Sequence, residues 1–368
     1  MTQFTRRHAL LTAVGASALI TAPAFARSVL RPDPTEDTRV DAIAQEFGFN
    51  GVILLGRAGR PEFRKAYGVA DVATGRPASV GDRYAIASIS KWLTVTAILQ
   101  LVDQGRLALD APINTWLPDY RTDTGGTVTL RHLLNNTSGI PNLLNAAVGA
   151  DPTLNTSTMP AAEAVKRFCS GDPIFAPGAR FDYVPTNWIL VMAIMEAATG
   201  EAYPALMDRL VITPLGLPDT GLCDAAFLEA GDVAKAYKTL SPPVLKMWPR
   251  PTFIAAAGGF YSTAADLLRA AHGVFDGDLL SASSREEMAR ITVPDQHYSL
   301  GGRVAVVNID GQVRRGGWET GRTDGYRSVL GHLFDDHRTV VVLNNTDMSQ
   351  QVMDQIALRL LNATWAEA

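Results

Sequence analysis

A serine hydroxyl and a lysine amine three residues apart, Ser88 and Lys91, open an apolar run that extends to Leu101. On a helix, positions i and i+3 share a face, so the two side chains are expected to touch. That pairing has a definite chemistry. A serine hydroxyl is a weak nucleophile at neutral pH, and a neighbouring amine that has lost its proton can act as its base. Lysine amines are ordinarily protonated, so burial or a nearby cation must favour the neutral form. The positive end of a helix macrodipole works in the same direction, favouring an alkoxide and disfavouring an ammonium. Ser90 is adjacent to Lys91 and points elsewhere. Ser-x-x-Lys also marks many ordinary helix starts, so its meaning depends on what the rest of the chain places around it.

The chain begins with Arg6-Arg7 and an Ala-rich apolar run without acids, ending at Ala24-Phe25-Ala26. This pattern predicts a twin-arginine export signal cleaved after Ala26, and hence a periplasmic protein. The apolar run from Ala9 to Ala22 is shorter than the roughly 20 residues that span a bilayer, so no stable membrane span is expected after cleavage. Loss of residues 1–26 leaves 31 basic against 37 acidic residues, a mature charge of −6. With no Lys/Arg cluster, nucleic acid is not an expected partner. The two cysteines, Cys169 and Cys223, are compatible with a disulfide or with two separate buried thiols. The six histidines are scattered without metal-ligand spacing, so neither a metal nor a cofactor is expected. Nothing in the sequence sets the oligomeric state.

The chain is 47% hydrophobic overall, enough for a large core. After a tail over 27–35, one domain is expected over 36–368. It starts with a helix at 36–47, then strands at 51–55 and 63–70 joined by a Gly/Pro turn. The Ser88 helix closes at Asp103-Gln104-Gly105. From about 109 to 251 the pattern is helical, broken by Pro and Gly, without strong strand alternation. Strands return at 298–308, 312–317, 326–334 and 339–344, and a helix follows at 350–363. The expected fold is α+β: an antiparallel sheet built from both chain ends, flanked by N- and C-terminal helices, with an inserted, mostly helical lobe. Thr263 to Asp266 reads as a helix start in which each side chain caps the other's backbone N–H.

Several segments then arrive in an order that resembles the beta-lactamase-related serine hydrolases, with their class C beta-lactamases, D-Ala-D-Ala carboxypeptidases, D-aminopeptidases and esterases. They are Ala87-Ser88-Ile89-Ser90-Lys91, Leu109 to Pro118, Leu130 to Pro141, Pro177 to Tyr183, Pro214 to Thr220 and Ala257 to Asp266. The resemblance covers nearly the whole mature chain and implies the beta-lactamase/transpeptidase-like fold. It also implies a second motif, Tyr-x-Asn, at Tyr183-Val184-Pro185, in which Tyr183 exchanges a proton with Ser88 through Lys91. Pro185 replaces the motif's Asn and brings no amide; Asn187, two residues on, is the candidate substitute. The third motif, Lys/His-Thr/Ser-Gly, aligns at Glu319-Thr320-Gly321, which with Asn187 are the implied substrate-binding residues. The backbone N–H groups of Ser88 and Arg322 are the implied oxyanion hole, and such donors are worth several kcal/mol each. Asn136 stands where the family usually has histidine, a position expected to serve packing.

Glu319 changes the expected substrate. A lysine or histidine there would attract the carboxylate of a beta-lactam or peptidoglycan stem, whereas a poorly solvated glutamate would repel it, unless Arg322 or Arg327 compensates; a Glu319 turned to solvent would do nothing. The leading expectation is a serine hydrolase acting through an acyl-enzyme on a small ester or amide. Two alternatives remain. One is a D-amino-acid amidase, aminopeptidase, carboxypeptidase or beta-lactamase, with Glu319 or another acid holding a substrate ammonium in the amidase case. The other is a penicillin-binding-like protein that binds without turnover.

Overall fold

The computed structural model describes residues 34–247 and 249–363. The export signal expected at 1–26 and most of the tail lie outside these residues. Helix α1 (Pro34–Glu46) begins two residues earlier than expected. It is followed by β1 (Gly51–Arg57) and β2 (Arg60–Tyr67), joined by Ala58-Gly59 with positive φ at both positions, as a tight hairpin turn requires. Next come β3 (Tyr84–Ala85), a 3-10 turn at Ala87–Ile89 and helix α2 (Ser90–Asp103). The lobe contains a short helix at Leu130–Leu134, helix α3 (Pro185–Thr199) and β4 (Gly221–Leu222). Then follow β5 (Phe260–Ser262), α4 (Ala264–Phe275), β6 (Arg303–Ile309), β7 (Gln312–Thr323), β8 (Tyr326–Leu333), β9 (Arg338–Asn344) and α5 (Gln350–Ala363).

The main sheet has the order β6-β7-β8-β9-β1-β2 and is antiparallel throughout. Strand β1 pairs with β9 from Gly51↔Asn344 to Arg57↔Arg338, so the two chain ends do form one sheet. Alternation assigns its faces. Ile53, Leu55, Val340 and Val342 pack with Val40 and Ile43 of α1 and Met353, Ile356 and Leu360 of α5. Val52, Leu54, Val341 and Leu343 face the opposite way, into the core that includes α2 and α4. Covered on both faces, these strands are continuously apolar, and each fully buried aliphatic side chain contributes about 1.5–3 kcal/mol.

Three local expectations are corrected. The strand expected from residue 298 starts at Arg303, because Gly301 and Gly302 pass directly over α2: a Cβ on Gly302 would lie 2.0 Å from Trp92 Nε1. The lobe holds a strand after all, since β4 joins β3 and β5 in a three-stranded sheet of order β3-β5-β4. Thr263 does accept from the Asp266 backbone N–H at 3.2 Å. Asp266, however, turns away and takes the Asp219 N–H and the Thr220 hydroxyl, both at 2.8 Å, tying α4 to the lobe. Cys169 and Cys223 are separate, buried free thiols, the second of the two readings. Among the described residues no single helix is long and apolar enough to cross a membrane.

Candidate active site

Helix α2 is buried from Ser90 to Leu99, so it is the axis on which the site is mounted. Ser88 sits just before it, in the 3-10 turn. The preceding Ala87 has φ +46°, a left-handed backbone that costs a non-glycine residue about 1–3 kcal/mol. Tertiary contacts hold that turn: Ile86 N donates to Phe260 O at 2.9 Å, and Gly258 packs against Ala87, where a Cβ would meet the Ala87 carbonyl carbon at an ordinary contact distance of 3.4 Å. The consequence is a sharp corner with Ser88 at its tip and the N-terminus of α2 beneath it.

Lys91, only 3% exposed, donates from Nζ to Ser88 Oγ at 3.0 Å. Its Nζ also donates to the Ala257 carbonyl and lies over the rings of Tyr183, at 4.9 Å, and Trp188, at 5.3 Å. Tyr183 arrives from the other side: its hydroxyl is 2.7 Å from Ser88 Oγ. Ser88 Oγ is thus flanked by an amine and a phenol, each within proton-transfer distance. The Tyr183 segment is anchored by the neighbouring Asp182 N–H, which donates to Asn136 O at 2.8 Å. Its ring packs against Phe181 and Tyr298. Asn136 has φ +58° and its Oδ1 accepts from Asn187 Nδ2 at 3.3 Å, a packing position.

Strand β7 forms the remaining wall. A Cβ on Gly321 would lie 2.1 Å from both Ile86 O and Ser328 Oγ, so only glycine allows this strand to meet the corner before Ser88. The Arg322 N–H follows directly. Pairing of β7 with β6 ends at Trp318, whereas pairing with β8 runs on to Thr323. The stretch Glu319–Thr323, which contains Thr320, is therefore an open strand edge beside Ser88.

Two of the expected substrate-binding side chains are elsewhere. Pro185 is the first residue of α3, a favourable place for a ring with no N–H. Asn187, one half-turn on, is fully buried, accepting from Ser138 Oγ at 2.6 Å, and so is closed to substrate. Glu319 is 1% exposed and points neither to solvent nor into the open edge. It lies on the face of β7 that bears Gly317, packed at Trp92, and Gly321, packed at Ile86. Burial pushes its carboxyl up to about 8, against the opposing charges of Arg303 and Lys91. Its Oε2 has no hydrogen-bond partner. Arg327, on the neighbouring β8, is tied to Asp347 at 2.8 Å and to the Thr323 and Tyr326 carbonyls, whereas Arg322 is exposed on the open stretch of β7.

Sequence reasoning missed three contributors to the site. The Ala257 carbonyl has no side-chain signature, although the adjacent Gly258-Gly259 marks a close approach. Trp188 and Tyr298 line the catalytic groups with polar atoms that lack partners, and nothing in their local sequence distinguishes them from core aromatics. Neither thiol competes as a nucleophile: burial pushes Cys223 up to about 12 and Cys169 higher still.

A serine at a helix start, a lysine one turn on and a tyrosine from the helical lobe, brought within hydrogen-bond distance under an antiparallel sheet, form the arrangement of a serine hydrolase. The beta-lactamase family model matches residues 37–363, and the chain belongs to that family. It is 29% identical to the esterase EstB of Burkholderia gladioli, over 80% of this chain and 85% of the relative. It is 32% identical to a D-aminopeptidase of Cereibacter sphaeroides, over 49% of this chain and 34% of that protein. A solved D-stereospecific amidohydrolase from Streptomyces sp. superposes with a TM-score of 0.71 at 28% identity, covering 88% of this chain and 98% of that one.

Proposed function

We propose that the protein is an exported esterase or amidase that cleaves small, neutral acyl substrates through an acyl-enzyme on Ser88, in preference to beta-lactams. The observation that carries this reading is Ser88 Oγ placed 3.0 Å from Lys91 Nζ and 2.7 Å from Tyr183 Oη. Ser88 Oγ attacks the acyl carbon while its proton passes to Lys91 or Tyr183. The negative oxygen is received by the N–H groups of Ser88 and Arg322. The bond to the alkoxide or amine leaving group breaks as Tyr183 returns the proton, and water then releases the acyl group by the reverse transfers.

Substrate preference follows from what β7 lacks. With Glu319 buried, no side-chain cation stands at the family's lysine or histidine position to meet a substrate carboxylate; Arg327 is already engaged, and Arg322, though exposed, alternates to the face of β7 opposite Glu319 and Gly321. Cleavage of p-nitrophenyl butyrate is expected to exceed that of nitrocefin by at least about tenfold in kcat/KM, since one unmet charge is worth a kcal/mol or more. A preference for nitrocefin would reverse this substrate assignment.

A second reading is supported by the likeness to a D-aminopeptidase and a D-stereospecific amidohydrolase. It is an amidase for D-amino-acid derivatives. Glu319 is too buried to hold the substrate ammonium in that case, so another acid would be needed. Rates on a D-alanine anilide and its acetylated form separate the two: equal rates count against ammonium recognition.

Export by the twin-arginine route rests on Arg6-Arg7 and the apolar run that follows. Changing both arginines to lysine is expected to trap the protein in the cytoplasm. Undiminished recovery from the periplasm would rule that route out.

A further inference from the structure

At the far end of the sheet from Ser88, three imidazoles close around one carboxylate. Asp276, just past the end of α4, lies 3.2 Å from His332 Nε2 and 2.8 Å from His337 Nδ1, and its other face is 2.9 Å from His272 Nδ1. We propose that Asp276, His332 and His337 form a binding site for a divalent first-row transition metal such as Zn2+, with His272 orienting the Asp276 carboxylate from behind.

The ligand set is chemically apt: two imidazole nitrogens and one carboxylate suit Zn2+, Co2+ or Ni2+ and leave a coordination position for water. The three ligand atoms all lie within 4.8 Å of one another. A tetrahedral ion with bonds of about 2.0–2.1 Å sets its ligands a little over 3 Å apart, so the two Asp276–imidazole contacts need to lengthen by only about half an ångström or less.

Each ligand is also held. His332 is fully buried on β8, its ring stacked on Phe275 at 5.4 Å and 10°, with Nδ1 engaged by the Thr339 hydroxyl at 2.9 Å. That outer contact directs Nε2 toward Asp276, as second-layer partners do in metal sites. His337 sits in the turn between β8 and β9 with φ +58°, and its side chain is 49% exposed, which gives an ion an entry path. The placement of Asp276 supplies a separate argument. A carboxylate at a helix C-terminus faces the negative end of the macrodipole, an unfavourable arrangement that a bound dication would offset. The ion would clamp α4 to the β8–β9 turn. The four residues come from the C-terminal end of α4, from β8 and from the β8–β9 turn, the first pair and the second separated by more than fifty positions, so the expectation of no metal drawn from histidine spacing did not test this arrangement.

The test uses full-length mature protein without a histidine tag, stripped with a chelator and titrated with Co2+ alone. The expected result is one equivalent bound per chain, with the visible ligand-field band of a low-coordinate cobalt site, displaced by Zn2+. His337→Asn keeps a residue that tolerates left-handed backbone and is expected to weaken binding by at least about 100-fold. Thr339→Val, which removes only the outer contact to His332, is expected to weaken it by about 10–100-fold. His297→Asn, a surface control at another positive-φ position, should change nothing. Hydrolysis of p-nitrophenyl butyrate, measured in parallel, reports that each variant is folded. No stoichiometric cobalt band, or equal affinity in the His337→Asn and His297→Asn proteins, would overturn the proposal and leave the cluster as a hydrogen-bonded knot.

Discussion

Ser88→Ala is expected to lower kcat/KM for p-nitrophenyl butyrate by about 10^4-fold or more and to abolish labelling by a fluorophosphonate probe, with little change in Tm. The loss should be this large because the described residues offer no substitute: both thiols are buried and pushed far from ionisation. The fold should survive, because alanine fits a 3-10 turn and Lys91 keeps the Ala257 carbonyl and two aromatic faces. Tyr183→Phe refines the assignment. It retains the ring beside Lys91 and removes only the hydroxyl 2.7 Å from Ser88 Oγ, so it isolates proton transfer, worth about 10^2–10^4-fold. A Tyr183→Phe enzyme with unchanged rate would leave Lys91 as the sole proton acceptor. Persistent labelling of the Ser88→Ala protein would remove the nucleophile from Ser88 altogether.

How far the site could be read from sequence depended on whether its chemistry follows local spacing. Ser88 and Lys91 are three residues apart, and helical periodicity brings them together whatever the surroundings. Tyr183 is 95 positions from Ser88 and was placed by the order of family motifs. Asn187 went wrong for a simple reason: the motif position falls on Pro185, the first residue of α3, and two steps along a helix reaches another face. Glu319 was expected to repel a substrate carboxylate, to hold a substrate ammonium or to face solvent, yet strand alternation held the answer. Gly317 and Gly321 are glycines because that face of β7 presses on Trp92 and Ile86, and Glu319 shares it.

The fold was more legible, since continuous apolar strands at both ends of the chain leave few arrangements that cover both faces of one sheet. The short strands β3, β4 and β5 were not, because two- and three-residue pairings carry too few positions for alternation to register. Their contribution is nonetheless close to the chemistry. Phe260 of β5 holds Ile86, and its own N–H donates to Ser90 Oγ at 3.1 Å, which is what the serine next to Lys91 does. The catalytic corner is thus fixed by long-range pairing on one side and by helix spacing on the other, and only the second leaves a mark in the local sequence.

Glu319→Gln is expected to make the protein more stable at alkaline pH while leaving it unchanged in acid. Glu319 is buried beneath the site with Lys91 on α2 and Arg303 on β6 drawing its ionisation down, and Tyr298 and Asp354 of α5 adding to the polar and acidic groups around it. Burial dominates and raises the carboxyl from its ordinary 4.5 to about 8. Between those two values the folded protein keeps a proton that the unfolded chain has released, so stability falls as pH rises through this window. At about 1.4 kcal/mol for each pH unit, the accumulated cost is on the order of 5 kcal/mol by the alkaline end. Glutamine keeps the shape and carries no charge at any pH. Urea denaturation of the two proteins should therefore coincide below about pH 4.5 and diverge steadily to about pH 8, the variant being the more stable. At pH 7 the wild-type carboxyl is already mostly neutral, so kcat/KM should stay within about threefold of wild type. Parallel stability curves across the whole range would mean that Glu319 is ionised in the folded protein, with Lys91 or Arg303 as its counter-charge.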